Sequence, residues 1–240
     1  MSAEGFVAPS YKLLSVIVPV YNERNTVVEM LRRIRGVDLP VALEVVVVDD
    51  GSTDGTDKVL SALEDSTVHI CTHRVNRGKG AAIRTGLERS SGDLVLICDA
   101  DLEYDPDDWP KLLDPVVKAK AQVVYGSRFT GERKNMGLGP FLANRLLVFV
   151  ANVLYGTTLS DIETCSKLLD RKVLDDIELV SDGFEFEPEI TAKLLGNKVR
   201  IYEVPISYAG RESTEGQKFH WPDWLRALAT LVRIRLRQGR

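Results

Sequence analysis

Asp93-Leu-Val-Leu-Ile-Cys-Asp-Ala-Asp-Leu-Glu103 is a short apolar run that ends in three acids, each one residue apart. The apolar part does not alternate with polar residues, which suits a strand buried on both faces of a parallel sheet. The acidic part stands where that strand would stop. Asp99 and Asp101 at a strand end can turn two carboxylates toward one point, where they repel and desolvate each other unless a cation intervenes. Hard oxygen donors of this kind suit Mg2+ or Mn2+. The competing explanation is a solvated acidic turn before a helix, where acids also complement the helix dipole.

Upstream, the same pattern repeats. Leu14 to Val20 and Leu43 to Asp49 read as further strands, and Val68 to Thr72 as a third in chain order. Helical periods at Glu23–Arg35, Thr56–Leu63 and Gly80–Ser90 separate them. Downstream, Pro106–Lys120 reads as a helix and Gln122–Tyr125 as a strand. Strands alternating with helices predict an open α/β fold with a mostly parallel sheet flanked by helices. Ligands of such sheets bind beyond the carboxyl ends of the strands. Two further acidic clusters fall at those ends, Pro19-Val-Tyr-Asn-Glu23 and Asp49-Asp-Gly-Ser-Thr-Asp-Gly55, and they strengthen the metal reading of the third. Asp50 suits a base or ribose, or an Asx-turn. Tyr21 suits stacking on a base, or packing.

The second half differs. Loops rich in Gly, Arg and Lys at Gly126–Gly139 and Tyr208–Phe219 alternate with helices at Leu138–Leu154, Glu185–Leu195 and Trp221 onward, and with a strand at Val199–Val204. These loops carry Arg128, Arg133, Lys134, Arg211 and Lys218. A metal plus several loop cations is a set suited to a diphosphate leaving group; each arginine alone would read as a solvated surface charge. Asn76-Arg-Gly-Lys-Gly80 places Lys79 before a helix, where it suits a phosphate or an acidic loop. It matches neither a Walker loop nor a dinucleotide fingerprint.

Composition bounds the function. The 240 residues carry 31 basic and 35 acidic side chains, for a net charge of −4, with 44% hydrophobic residues. That is enough apolar surface for a core and excludes a disordered chain. The acidic balance argues against a nucleic-acid partner. The three cysteines form no CxxC pair, and the N-terminal segment lacks the pattern of an export signal, so a reducing, cytoplasmic location is expected. His69, His73 and His220 have no zinc-ligand spacing, and no GxSxG elbow is present.

The motifs together resemble the family 2 glycosyltransferases of the GT-A fold, and within them the polyprenyl-phosphate sugar synthases, such as the dolichyl-phosphate mannose and glucose synthases. The matching residues are Pro19-x-Tyr-Asn-Glu23, Val48-Asp-Asp-Gly-Ser52, Asn76-Arg-Gly-Lys-Gly80, Asp99-Ala-Asp101, Gly126-Ser-Arg128 and Glu203-Val-Pro-Ile206. The resemblance implies an inverting transfer of a hexose from a nucleotide sugar to a polyprenyl phosphate. It assigns Pro19, Tyr21, Glu23, Val48 and Asp50 to the nucleoside. Asp99, Ala100 and Asp101, with Lys79, would meet the metal and diphosphate, and Glu103 falls where a Gln metal ligand is common. Arg128, Arg211 and Lys218 would bind phosphates. Asp161-Ile-Glu-Thr-Cys-Ser-Lys167 stands where the family has Asp-x-Gln-Thr-Gly-Phe-Lys, with Cys165 and Ser166 replacing Gly and Phe. Asp101, Arg128 and Asp161 are the expected catalytic residues. A phosphate acceptor needs no general base; a hydroxyl acceptor does, and Asp161, Glu187 and Glu189 are the candidates.

The expected organisation is a transferase domain over 1–220, with a nucleotide-sugar half (1–128) and an acceptor half (129–220), then a basic amphipathic helix over 221–240. Trp221-Pro-Asp-Trp-Leu-Arg-Ala-Leu-Ala-Thr-Leu-Val-Arg-Ile-Arg-Leu-Arg237 mixes Trp and Leu with Arg, as helices lying in the headgroup region do. No run of about 18 apolar residues without charge occurs, because Arg145 interrupts Leu138–Tyr155; a peripheral contact with a membrane surface is therefore expected. Other classes are a transferase acting on a glycan or small-molecule hydroxyl and a non-catalytic nucleotide-binding module. The motifs do not separate GDP-mannose from UDP-glucose as donor.

Overall fold

A computed structural model describes residues 10–134, 137–211 and 221–238. Its core is a seven-stranded sheet built from β1 (Leu13–Val20), β2 (Ala42–Asp49), β3 (Val68–Thr72), β4 (Leu94–Ile97), β5 (Val123–Ser127), β7 (Lys167–Asp170) and β8 (Ile201–Pro205). The spatial order is β3-β2-β1-β4-β7-β5-β8. A two-stranded ribbon pairs β6 (Arg133–Lys134) with β9 (Tyr208–Ala209). The expected α/β fold with a mostly parallel sheet is present, with one exception. β7 runs antiparallel to both of its neighbours, β4 and β5.

The strands form where the apolar runs predict them. Val16, Ile17 and Val18 in β1, Val45 to Val48 in β2 and Leu94 to Ile97 in β4 are all buried, as strands covered on both faces must be. Helices α1 (Val27–Gly36), α2 (Thr56–Ser61), α3 (Lys79–Arg89) and α4 (Trp109–Val117) connect the strands of the first half. α1 starts later than its periodicity suggests. Asn22 has φ of 58°, and the Glu23 carbonyl accepts from the Thr26 and Val27 amides in a separate turn, so residues 23–26 present side chains at the strand end instead. Pro106–Asp108 is a short 3-10 turn capped by Asp105, which accepts from the Asp107 amide at 3.1 Å. Ala119, with φ of 54°, ends the following helix.

β7 and the short α6 (Arg171–Asp175) were not expected. Lys167-Leu-Leu-Asp170 is too short and too charged at its ends to read as a buried strand, yet all four residues are buried. Its pairing of Lys167 with Ile97 brings the preceding turn, residues 160–166, to the same sheet edge as Asp99 and Asp101. β7 and β8 lie in one sheet with the strands before residue 128.

α5 (Leu138–Tyr155), α7 (Phe186–Gly196) and α8 (Trp221–Gln238) pack together. Leu147, Ala151, Ala192, Ala227, Leu231 and Ile234 form their shared core. Trp224 Nε1 donates to the Ala143 carbonyl at 2.9 Å, and the Tyr155 hydroxyl to that of Leu231 at 3.1 Å. By length and composition alone α5 is long and apolar enough to cross a membrane, which the interrupting Arg145 was expected to prevent. One of its faces is committed to α8.

The α3 helix lies against β1 through Gly86, where any Cβ would run into Ile17 Cγ2. Gly86→Val is expected to lower stability by about 1–3 kcal/mol through overpacking. Urea unfolding measures this, and an unchanged midpoint would contradict the packing.

Candidate active site

The carboxyl ends of β1, β2 and β4 open into a cleft of about 380 Å³. Pro19, Tyr21, Glu23, Asp50, Lys79, Asp99, Ala100 and Asp101 line it, together with Asn76, Gly78, Gly183 and Phe184. The first eight are residues singled out in the sequence; Gly183 and Phe184 were not. Tyr21 is 46% exposed and presents its ring at the rim. Val48, by contrast, is fully buried with Val46 and Ala82. Its side chain packs the sheet against α3 and is not among the lining residues.

Asp50 does not make the Asx-turn; Asp49 does, accepting from the Ser52 amide at 3.0 Å. The Asp50 carboxylate instead accepts from the Arg77 and Gly78 amides, at 2.9 and 2.7 Å, and meets His73 Nδ1 at 2.6 Å. It thereby fixes the Asn76–Gly80 loop at the cleft floor. His73, whose Nε2 reaches Thr85 Oγ1 at 2.9 Å, is a support that no spacing signal revealed. Gly78, at φ of +100°, approaches the Asp182 carbonyl so closely that no side chain fits. This locks the loop to the turn that carries Phe184.

Of the two partners open to Lys79, the acidic one is realised. Its ammonium lies 2.8 Å from Asp99 Oδ1 and 3.1 Å from Glu187 Oε1. Burial opposes its charge, but Asp99 and Glu187 outweigh burial and hold Lys79 well above the ordinary lysine value. Glu187 also pairs with the fully buried Lys167. Lys167 is wrapped by the carbonyls of Ile162 and Thr164 and stands over the Tyr125 ring at 4.9 Å.

Asp101 is the carboxylate left least compensated. Burial, then Asp99 and Glu103, push it up to about 7. A buried acid beside like charges is the environment that a divalent cation relieves. Asp99 and Asp101 are the residues that would hold such an ion. Glu103 lies close to Asp101, and its amide donates to Asp101 Oδ1 at 3.1 Å. Its oxygens accept from the Tyr208 hydroxyl at 2.8 Å and the Arg211 amide at 3.0 Å, which ties the 208–211 segment down. Among the described residues no three Asp, Glu, His or Cys side chains are arranged as a metal cluster.

Arg211 reaches across the cleft mouth: Nη2 lies 2.7 Å from Glu23 Oε2, and Nε donates to the Asp101 carbonyl at 3.0 Å. Lys218 lies outside the described residues. Arg128 and Asp161 are brought together as a bidentate pair, Nε to Oδ2 at 2.7 Å and Nη2 to Oδ1 at 2.8 Å. Burial would raise Asp161, but Arg128 prevails and lowers it. Glu189 accepts from the Val180 and Ser181 amides and from Lys193; against burial, these bonds lower it. The three sequence candidates for a general base are therefore all paired acids.

These features define an α/β enzyme-type site that combines an acidic strand end, a cleft sized for a nucleotide and cations at its mouth. A family model for glycosyl transferase family 2 matches residues 15–178, and the chain belongs to that family. It is 32% identical over 228 residues to the low-salt glycan biosynthesis hexosyltransferase Agl6 of Haloferax volcanii, covering 93% of this chain and 53% of that protein. To the dolichol-phosphate mannosyltransferase of Pyrococcus furiosus it is 29% identical, covering 85% of this chain and 58% of that protein. It is 30% identical to the polyprenol monophosphomannose synthase of Mycolicibacterium smegmatis, with 86% and 80% covered. The chain thus spans about half the length of the first two. The fold resembles glucosyl-3-phosphoglycerate synthase of Mycobacterium tuberculosis in complex with Mn2+, UDP-glucose and phosphoglyceric acid, at a TM-score of 0.71 and 22% identity, with 93% of this chain and 80% of that one covered.

Glu163 lies in the turn before β7, outside the residues that line the cleft. Burial, then the charge of Glu187, push it up from 4.5 to about 7. A carboxyl whose folded value exceeds its unfolded one stabilises the fold fully below the unfolded value and loses that contribution as pH rises through the folded one. Glu163→Gln is therefore expected to gain thermal stability relative to the parent as pH goes from 5 to 8. A melting difference that stays flat over that range would contradict it.

Proposed function

We propose that this chain carries out an inverting transfer of a hexose from a nucleoside diphosphate sugar to a polyprenyl phosphate at a membrane surface. The observation that carries the reading is the single cleft where Asp99, Asp101 and Lys79 meet Pro19, Tyr21, Glu23 and Asp50. The nucleoside lies toward Tyr21 and Asp50, and its diphosphate toward Lys79, Asp99 and Asp101. Asp99 and Asp101 would hold Mg2+ or Mn2+, which when bound supplies charge neutralisation for the departing diphosphate. Relatives named for polyprenyl and dolichol phosphates support the acceptor class, and a similar fold in complex with Mg2+ and UDP supports the ion.

In the step itself, an acceptor phosphate oxygen attacks the anomeric carbon from the face opposite the leaving group. The bond to the diphosphate breaks as the new one forms, and configuration inverts. The acceptor is already anionic, so no proton has to be removed. This agrees with the pairing of Asp161, Glu187 and Glu189, none of which is left as an unpaired base. Cations position the acceptor. Arg128 uses its Nε and Nη2 edge for Asp161, which orients the guanidinium, and Arg211 acts at the mouth. Orientation and charge complementarity account for the rate.

The membrane contact is assigned to α5 and α8. Leu138, Leu142, Leu146, Phe149 and Val153 form an exposed stripe along one face of α5, with Leu138, Phe149 and Val153 each more than 60% exposed. On α8, Leu225, Val232 and Leu236 are also exposed, among Arg226, Arg233 and Arg237 in the sequence. An apolar face edged by arginines suits the headgroup boundary of anionic lipid, and this supports a peripheral contact with the cytoplasmic face of a membrane.

Asp101→Asn is expected to reduce transfer to a polyprenyl phosphate by about 100-fold or more while leaving the thermal unfolding curve cooperative. Chelation with EDTA should do the same to the parent. An Asp101→Asn enzyme with full activity would overturn the metal assignment. Phe149→Glu, at an exposed position, should weaken co-sedimentation with anionic liposomes without loss of fold. Equal co-sedimentation of parent and variant would refute the α5 contact.

A further inference from the structure

Lys79 engages both oxygens of Asp99. Its Nζ lies 2.8 Å from Oδ1 and donates to Oδ2 at 2.9 Å. A carboxylate that would hold a divalent cation is therefore already covered by a side-chain cation. A second positive charge brought to Asp99 meets this ammonium where screening is poor, since the Lys79 side chain is only 13% exposed. The ammonium has to give up part of its hold on Asp99, and a mostly buried ammonium that loses one acceptor needs another.

An acceptor in reserve stands beside it. Glu187, in the first turn of α7, has its Oε2 bound by Lys167. Its Oε1 is buried and makes no hydrogen bond among the described residues. That oxygen nevertheless lies 3.1 Å from Lys79 Nζ, at ion-pair range and outside hydrogen-bond geometry. An unmatched buried acceptor is costly, and each one in a native structure calls for an explanation. A hydrogen bond from Lys79 would satisfy Oε1, and the ammonium is already within reach. The surroundings on both sides are fixed. Lys167 is fully buried and held by the carbonyls of Ile162 and Thr164, which anchors Glu187. Asp50 accepts from the Arg77 and Gly78 amides, which anchors the loop before Lys79. Between two anchored carboxylates stands an ammonium on a flexible four-carbon stem.

We propose that Lys79 is the resident counter-ion of Asp99, and that it passes its hydrogen bond to Glu187 when a divalent cation takes Asp99. This rests on the assignment of Asp99 and Asp101 to such an ion. Lys79 keeps the acidic strand end neutralised beforehand, and Glu187 receives the ammonium on its release. Both are positioning residues that set how tightly the ion is held, and neither is a ligand to it. Only hydrogen bonds are exchanged, and every proton stays on its own atom.

The test is the binding of Mn2+ alone, without nucleotide, read from the electron paramagnetic resonance signal of the free ion. Lys79→Met removes the competing charge and should bind Mn2+ about tenfold more tightly than the parent. Glu187→Gln removes the charged second partner of the ammonium and should bind Mn2+ about tenfold more weakly. In the double variant, adding Glu187→Gln to Lys79→Met should change the affinity by less than about twofold, because the two act through one contact. If Lys79→Met binds Mn2+ no more tightly than the parent and only nucleotide binding weakens, the proposal fails, since the ammonium then serves the diphosphate alone. It also fails if Glu187→Gln keeps its full effect in the Lys79→Met background, since the carboxylate then acts by its field without the lysine. Should Glu187→Gln not fold, with Lys167 left against a neutral partner, Lys79→Met alone decides. Should neither fold, the parent with 15N-labelled lysine ammonium groups is followed by NMR. Saturating Mg2+ should then shift a buried ammonium signal, and a spectrum that Mg2+ leaves unchanged overturns the proposal. Mn2+ binding by the parent with no gain in Lys79→Met counts against this inference alone. Absence of Mn2+ binding by parent and Lys79→Met alike, with or without GDP or UDP, overturns the ion assignment and this inference with it.

Discussion

One ammonium group joins the two halves of the site. Lys79, at the start of α3, reaches Asp99 at the end of β4 and Glu187 at the start of α7. Glu187 in turn is held by Lys167 at the start of β7. Removing one member of such a buried set leaves a charge without its counterpart, which costs far more than an exposed pair is worth. The rest of the site is arranged around this constraint. Asp50 fixes the loop that delivers Lys79, Gly78 lets that loop approach Asp182, and the turn before β7 encloses Lys167. The cleft wall is thus held by ion pairs on the Lys79 side and open at the Tyr21 rim.

Rigid pairing also sorts the acids by role. Asp161, Glu187 and Glu189 each face a cation within hydrogen-bond distance, whereas Asp101 faces other acids. A site built for proton abstraction would leave a carboxylate near neutrality beside the incoming nucleophile. A site built to receive a phosphate needs oriented cations and a place for the leaving charge. The distribution of pairs favours the second design. Asp101 is raised by burial and by the acids beside it, which marks it as a place for a cation.

Local signals carried much of this into the sequence. The apolar runs of β1, β2 and β4 are buried strands because nothing in them alternates, and the acids that follow are at the cleft because strands of a parallel sheet end together. Asp99, Asp101, Lys79, Glu23 and Tyr21 were legible for that reason. β7 was not, since a buried lysine at the head of a four-residue strand looks like a surface turn until its counter-ion is known. Gly183 and Phe184 reach the cleft only through contacts about a hundred residues apart in the chain, as between Asp182 and Ala81. Glu103 shows what spacing leaves out. It stands beside Asp101 as its spacing implies, while its carboxylate accepts from Tyr208 and Arg211, more than a hundred residues on.

The antiparallel β7 has a consequence for how such a chain can be divided or recombined. β5 is made before β7, yet it has no edge on β4 and gains its place in the sheet only when β7 inserts between them. A fragment ending after β5 would hold a strand with nothing to pair to and a β4 edge left bare, which invites association with other chains. The first 128 residues are therefore not a module that can be grafted onto a foreign remainder at that point. Any exchange of segments between relatives has to leave β7 in place between β4 and β5.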